Sequence, residues 1–180
     1  LPDDESFFLF GPRGVGKTTL IKHLPWFPNS LYLNLLKQTE EQRFIKNPDE
    51  LLSIVQLLPK HITHIIIDEV QKLPTLLDLV HELIETTDKY FILTGSSARK
   101  LKHGGANLLA GRAFVYHLHP FTNSEIPQQE QLIHQLQWGT LPKIFDYKTS
   151  EKKALYLEAY TNTYLKEEIQ SEALTKNIEG

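Results

Sequence analysis

The sequence predicts an α/β fold in which a mostly parallel β-sheet is sandwiched between helices. Short apolar segments of strand length alternate with segments whose apolar residues recur at helical spacing. Two of the strand segments, residues 64–68 (HIIID) and 90–94 (YFILT), are continuous apolar runs without alternation, which is typical of strands covered on both faces. A glycine-rich turn separates the first strand segment from the first helical one.

Strands and helices follow one another in a regular order. The first helix is expected at residues 18–24 and stops before Pro25. A later helix carries an apolar stripe at helical spacing, formed by Leu76, Val80, Leu83 and Ile84. Strands are expected at residues 6–10, 31–36, 64–68, 90–94 and 113–118.

Two pairs of residues between the second and third strands have the spacing of helix capping boxes. Thr39 stands three residues before Gln42, and Asn47 stands three residues before Glu50. We therefore expect one short helix to open at Thr39 and another to open at Asn47.

The pattern changes to helical segments from about residue 128. The last helix is expected from about Glu151 and carries an apolar face that we expect to pack in a core or against another domain: Leu157, Tyr160, Tyr164, Leu165 and Ile169. We therefore predict a core domain at residues 1–126 and a helical extension at 127–180. Because the last helix runs close to the final residue, the extension is expected to open a second domain that continues beyond it.

Composition indicates an ordinary globular protein. The chain has 180 residues, of which 41% are hydrophobic and 23% charged, and no apolar run approaches the ~20 residues that span a bilayer. It contains no Cys, which excludes disulfides and thiolate metal sites and fits the cytoplasm. It begins at Leu1 and contains no Met, so we expect the natural start to lie upstream.

The phosphate-binding motif is the most specific signal in the chain. Residues 11–18 read GPRGVGKT and match G-x-x-x-x-G-K-[ST] at every specified position. The glycines allow a tight turn whose N–H groups face phosphate oxygens, and the following helix N-terminus adds positive potential. Lys17 is expected to reach the β- and γ-phosphates, and the Thr18 hydroxyl to hold Mg²⁺. The segment, called the P-loop below, predicts a nucleoside triphosphate site formed by Gly11, Pro12, Arg13, Gly14, Val15, Gly16, Lys17, Thr18 and Thr19.

Two adjacent acids end the third predicted strand. The carboxyl ends of parallel strands face the crevice where such sheets bind ligands, so Asp68 is expected to hold Mg²⁺ directly or through water. Glu69, where the chain leaves the strand, is expected to orient and deprotonate an attacking water.

The paired acids also bear on the reaction class. A hydrolase needs a base aimed at water, whereas a small-molecule kinase needs an acceptor pocket and a base aimed at the acceptor hydroxyl. The acid pair, together with the extra strand at residues 31–36 between the P-loop and Asp68, favours water. This is the arrangement of P-loop proteins with an additional central strand and a catalytic glutamate. A kinase remains an alternative.

Three further residues are candidates for the same chemistry. Thr94 and Ser96 follow the fourth predicted strand, and either hydroxyl is a candidate to bond the γ-phosphate or the water; the alternative is a turn that caps the next helix. Arg112 is a candidate to stabilise transition-state charge, in cis or across a subunit contact, or else an ordinary salt-bridged arginine. Arg13 is expected to be exposed.

Four segments together resemble the AAA-type predicted ATPases of prokaryotes: GPRGVGKTTL, IIIDEVQKLPTLLDLVHELI, FILTGSSARKL and NLLAGRAFVYHLHPFTNSEI. In that family a second domain of unknown function follows the ATPase domain. The turn at 138–142 (WGTLP) resembles the turn after the ATPase core, and residues 160–169 (YTNTYLKEEI) resemble the helix that opens the companion domain. The resemblance implies an AAA+ type core that uses ATP and Mg²⁺, with Lys17, Thr18, Asp68 and Glu69 in the roles given above.

Two functions fit these observations. One is an ATPase that couples its cycle to the movement of an attached domain or partner. The other is a nucleotide-dependent switch that recruits a protein or DNA, with negligible turnover by itself. The expected partners are ATP, the companion domain, and a second copy of the chain or another protein. A net charge of −3 does not support a dedicated nucleic-acid binder, and no membrane is expected.

Overall fold

A computed structural model of the chain describes residues 1–96, 101, 109, 111–126 and 132–165. By its internal contacts the chain divides into two compact units, one formed by residues 1–11 and 17–118 and the other by residues 12–16 and those from 119 onward. Three features of the sequence lie outside the described residues: Ser97, the C-terminal side of the predicted domain boundary at 126/127, and the part of the last predicted helix beyond residue 165.

The first unit contains the predicted sheet. Its strands are β1 (Phe7–Phe10), β2 (Ser30–Asn34), β3 (His64–Asp68), β4 (Tyr90–Gly95) and β5 (Phe114–His117). Its helices are α1 (Lys17–Lys22), α2 (Gln38–Lys46), α3 (Glu50–Gln56) and α4 (Leu76–Thr86). Short 3₁₀ turns occupy Phe27–Asn29 and Val70–Lys72.

The strands form one five-stranded sheet in the order β2-β3-β4-β1-β5, and every adjacent pair is parallel. The predicted α/β fold class is therefore confirmed. The placement of the additional central strand was wrong, because the strand predicted at 31–36 lies at the edge of the sheet as β2. β4 is the strand inserted between β1 and β3.

Both faces of the sheet are covered by apolar side chains, as the continuous apolar runs predicted. Successive residues of a strand point to opposite faces. Phe8, Ile65 and Ile67 join the core that includes residues of α2, α3 and α4, whereas Phe7 and Ile66 pack in a second core with residues of α1.

The two predicted capping boxes are wrong. Helix α2 begins at Gln38 and α3 at Glu50, and neither has a side-chain cap. Asn47 instead ends α2, where its N–H donates to Arg43 O. The Glu50 carboxylate accepts a hydrogen bond from Arg43 Nη2 at 2.7 Å. Glu50 thus pairs with Arg43, and the Asn47 N–H that it was expected to accept from donates to Arg43 O.

The second unit contains three described helices, α5 (Leu132–Trp138), α6 (Pro142–Asp146) and α7 (Ser150–Tyr160), and a π-helical turn at Thr161–Leu165. Thr149 caps α7, since its side chain accepts from Lys152 N at 3.4 Å. Helix α7 has no fully buried residue; of the residues expected on its apolar face, Leu157 and Tyr160 are half-buried and Tyr164 is exposed. Among the described residues, no helix is long and apolar enough to cross a membrane.

His64, at the start of β3, is a buried histidine with both ring nitrogens in hydrogen bonds. It is 4% exposed and stacks on Trp26 with ring centroids 4.2 Å apart. Nε2 lies 2.9 Å from Asp3 O and Nδ1 lies 2.7 Å from Thr63 Oγ1. A carbonyl oxygen only accepts, so Nε2 donates to it; in the neutral ring, which burial favours, Nδ1 then accepts from the Thr63 hydroxyl.

Burial lowers the pKa of His64 below its ordinary value, and this gives the fold a pH dependence. As the pH falls below about 6.5, the unfolded chain binds a proton that the folded chain resists, so stability is lost toward acid pH. We expect His64→Phe, which preserves the stacking, to flatten the decline in free energy of unfolding between pH 7 and pH 5 as measured by urea titration. The matched control is His61→Phe, since His61 is exposed; an equal flattening in both variants contradicts the assignment.

Candidate nucleotide site

The parallel sheet brings the carboxyl ends of β1, β3 and β4 to one edge. In register, Phe10 of β1 lies beside Gly95 of β4, and Ile67 of β3 lies beside Leu93. The predicted groups of the first unit that follow these strands, including Gly11, Asp68 and Ser96, are therefore neighbours along that edge. These groups are neighbours because β4 lies between β1 and β3, a strand order that the sequence did not reveal.

Lys17 and Thr18 lie at the start of α1. Lys17 is 6% exposed, and its Nζ donates a 2.7 Å hydrogen bond to Gly11 O, the first carbonyl of the P-loop. Thr18 Oγ1 donates to Asp68 Oδ2 at 3.0 Å. The two residues predicted to hold Mg²⁺ are thus in direct contact.

Asp68 is the residue on which most of the predicted site converges. Its side chain is 2% exposed, and it accepts hydrogen bonds from the hydroxyls of Thr18, Tyr32 and Thr94. Among the described residues it forms no ion pair, so three neutral hydroxyls solvate a buried carboxylate. An ionised carboxylate removed from water is costly without a counter-charge, and this cost favours a cation at the site.

Tyr32 was not among the predicted site residues. It lies in β2 two positions before Asn34, which is paired in register with Asp68. Burial, the hydrogen bond to Asp68 and the charge of that carboxylate raise the pKa of Tyr32 well above its ordinary value. The phenol therefore remains protonated and donates to Asp68. Only the strand register, which a single sequence does not reveal, indicates this contact.

Glu69 follows Asp68 in a strained backbone conformation. Its φ and ψ are 63° and 47°, the left-handed region that non-glycine residues adopt rarely. Its N–H donates to Thr94 Oγ1 at 3.1 Å, and its Oε2 accepts from Gln71 Nε2. The side chain is 8% exposed. Strain of this kind clusters at functional sites, where the surrounding contacts maintain it.

The two candidate hydroxyls at the end of β4, Thr94 within the strand and Ser96 directly after it, differ in their hydrogen bonds. Thr94 is fully buried and bridges the two acids, because it donates to Asp68 Oδ1 and accepts from Glu69 N. Ser96 is 7% exposed, and its Oγ is buried without a hydrogen-bond partner among the described residues. The geometry therefore favours Ser96 over Thr94 as the hydroxyl with capacity for a ligand.

The donor set fits Mg²⁺ bound together with phosphates. Hard oxygen ligands are available in Thr18 Oγ1 and the Asp68 carboxylate. Within the part of the chain that the structure describes, no group of three or more His, Asp or Glu side chains could hold a metal alone. Mg²⁺ usually takes only one or two protein ligands and completes its octahedron with phosphates and water, so this small set is sufficient.

The middle of the P-loop, residues 12–16, belongs to the second unit. Gly14 and Gly16 have φ of 80° and 96°, which only glycine adopts without strain. An added Cβ on Gly14 would lie 3.2 Å from Tyr156 Oη. Tyr160 Oη donates to Arg13 O at 3.1 Å, and the Arg13 guanidinium lies 5.2 Å from the centre of the Tyr164 ring. Arg13, expected to be exposed, is half-buried because these tyrosines cover it.

For the remaining candidate residues the structure shows other surroundings than the carboxylates of Asp68 and Glu69. Arg112 is exposed, and its Nε donates to Glu85 Oε1 on α4, which is the ordinary ion pair that the sequence left as an alternative. Thr19 is exposed, Pro12 is half-buried, and Val15 is buried.

One family of known proteins matches most of the chain. A family model described as an AAA domain matches residues 3–127. Among solved structures, the chain is similar to a chain in the structure of Drosophila ORC bound to DNA, with 17% identity and a TM-score of 0.45 over 90% of this chain and 51% of that one. It is also similar to domain III of the Thermotoga maritima replication initiation protein DnaA, with 14% identity and a TM-score of 0.44 over 94% of this chain and 83% of that one. The chain thus spans about half of the Drosophila chain. No curated protein matches it significantly.

Replacing Tyr32 by Phe removes one of the three donors to Asp68 and retains the ring that packs on Phe27. We expect the free energy of unfolding, measured by urea titration, to fall by about 1.5 kcal/mol because a hydrogen bond to a charged group is lost. Tyr116→Phe is the control, since the Tyr116 ring packs edge-on against Phe7 and its hydroxyl bonds no described residue. Equal losses in the two variants would show that the Asp68 contact contributes nothing.

Proposed function

The chain belongs to the AAA domain family, and we propose that it is a Mg²⁺-dependent ATPase that hydrolyses ATP to ADP and phosphate. The observation that carries the proposal is the contact between Thr18 and Asp68, with Glu69 adjacent and buried. A metal-binding hydroxyl, a metal-binding carboxylate and a base at one sheet edge are the parts that ATP hydrolysis requires.

Each residue has a distinct task in this proposal. The P-loop amides and the Lys17 ammonium bind the phosphates, with Lys17 Nζ exchanging Gly11 O for a phosphate oxygen. Thr18 and Asp68 would hold Mg²⁺, which would supply positive charge against the negative charge of the phosphates. Glu69 accepts a proton from the attacking water as the oxygen of that water bonds to the γ-phosphorus, while the bond from that phosphorus to the β–γ bridging oxygen breaks and ADP leaves. Ser96 is the polar group available to the γ-phosphate or the water, and Thr94 orients the two acids.

Coupling of the cycle to the movement of an attached domain or partner is part of the same proposal. Its support is the second unit, in which the Tyr160 hydroxyl bonds the Arg13 carbonyl of the P-loop. A change at residues 12–16 on nucleotide binding is thereby transmitted to α7 through that hydrogen bond.

A second candidate function is a nucleotide-dependent switch with negligible turnover by itself. The position of Arg112 favours it, because an arginine that stabilises the transition state has to reach the phosphates, and in this structure Arg112 is exposed and paired with Glu85 on α4. Phosphate release by the chain alone, compared with release in the presence of added partner candidates or companion domain, distinguishes the switch from the ATPase.

We expect Glu69→Gln to lower the rate of phosphate release by about 100-fold or more, because general-base assistance is lost while the phosphate contacts remain. The dissociation constant for Mg²⁺·ATP, measured by calorimetry, should stay within about threefold. Lys17→Ala should instead weaken binding itself. Glu41→Gln, which alters an exposed acid paired with Lys72, is the control. Turnover by Glu69→Gln at the wild-type rate would exclude Glu69 as the base.

A further inference from the structure

Gln71 makes the contact with Glu69 that the proposed chemistry does not yet use. It lies in the 3₁₀ turn Val70–Lys72 directly after the acid pair. Its Nε2 donates to Glu69 Oε2, while Glu69 Oε1 has no hydrogen-bond partner among the described residues. One carboxylate oxygen is therefore engaged by an amide and the other remains available.

The backbone of Glu69 is fixed independently of this contact. The left-handed conformation and the hydrogen bond from Glu69 N to Thr94 Oγ1 determine where the Cα–Cβ bond points. Beyond Cβ, the glutamate side chain has rotatable bonds, and Gln71 is its only side-chain hydrogen-bond partner within the described part of the chain. The direction of the carboxylate thus depends on Gln71.

Gly95, at the end of β4, provides the space for the Gln71 amide. A Cβ built on Gly95 would lie 2.6 Å from Gln71 Oε1 and 3.3 Å from Phe10 Cε1. Gly95 does not have a positive φ, so the close approach of these side chains, and not its backbone conformation, is the reason for glycine at this position. Gln71 Oε1 is itself buried without a hydrogen-bond partner among the described residues.

A buried amide oxygen with no partner is costly, and the sequence retains it at a position where an apolar side chain would remove the cost. The amide nitrogen of the same group donates a hydrogen bond to Glu69. We infer that this hydrogen bond is the reason for a glutamine here, because it offsets the free-energy cost of the unpaired oxygen.

We propose that Gln71 is the positioning residue of the general base: its amide fixes one oxygen of Glu69 so that the other faces the attacking water. This inference rests on the proposed ATPase function. Gln71 itself touches neither substrate nor metal and is not a catalytic residue.

The first test is Gln71→Met, which has a similar length and no donor. We expect the turnover number to fall about tenfold or more through misorientation of the base, while the dissociation constant for Mg²⁺·ATP stays within about threefold. Lys72→Met is the matched control in the same turn, because it removes an exposed ion pair with Glu41 instead. Wild-type turnover in Gln71→Met overturns the proposal.

A double-variant comparison separates positioning from general damage to the fold. In the Glu69→Gln background the base is already absent, so Gln71→Met should cause no further loss of turnover. A further tenfold loss would mean that Gln71 acts elsewhere. If Gln71→Met does not fold, Gly95→Ala replaces it, because the added methyl group displaces the amide and leaves Gln71 in the chain.

A spectroscopic readout keeps this proposal separate from the ATPase proposal. Turnover of the wild-type chain no faster than that of Lys17→Ala would refute the ATPase function alone. The side-chain amide NMR signals of Gln71, identified by their loss in Gln71→Met, should exchange with solvent more slowly than those of exposed Gln56 and should shift in Glu69→Ala. Signals that exchange like those of Gln56 and ignore Glu69→Ala would refute the contact.

Discussion

The hydrogen bonds of the Asp68 carboxylate are the interaction on which the site depends. They join three elements that are distant in sequence: α1 through Thr18, β2 through Tyr32 and β4 through Thr94. Hydroxyls lower the cost of burying the carboxylate but bring no positive charge. The negative potential that remains is suited to a small divalent cation, and the same contacts hold the ligand oxygens in place before it binds. A site organised in this way loses little entropy when nucleotide and metal arrive.

Thr94 extends this network to the neighbouring acid. By accepting from Glu69 N and donating to Asp68, one buried hydroxyl links the proposed metal ligand to the proposed base. Gln71 then orients the Glu69 side chain from the following turn, and Gly95 leaves room for it. The threonine and glycine at the end of β4 are thus explained by the acids beside them. Ser96 differs from both residues, because its buried hydroxyl has no hydrogen-bond partner among the described residues and is the one proposed to contact a ligand.

Local sequence patterns predicted most residues of this site, but not the strand order or the side-chain contacts that join them. The continuous apolar runs predicted buried parallel strands because a strand covered on both faces needs no alternation, and His64–Asp68 is found as expected. The strand order depends on long-range packing, so the central position of β4 was not apparent. The capping boxes were wrong because α2 begins at Gln38 and α3 at Glu50, so that neither Thr39 nor Asn47 lies at an N-cap. The contact of Tyr32 with Asp68 could not be predicted because it depends on the strand register. The contact of Gln71 with Glu69 could not be predicted because it depends on the left-handed backbone conformation of Glu69.

The claim that this sheet edge binds Mg²⁺·ATP is tested most directly by a crystal structure of the chain with Mg²⁺ and a non-hydrolysable ATP analogue. We expect Mg²⁺ at about 2.1 Å from Thr18 Oγ1, close to Asp68, with Lys17 Nζ moved from Gly11 O to a phosphate oxygen. An analogue bound away from residues 11–18, or a Lys17 that stays on Gly11 O while the metal lies far from Thr18, would contradict it.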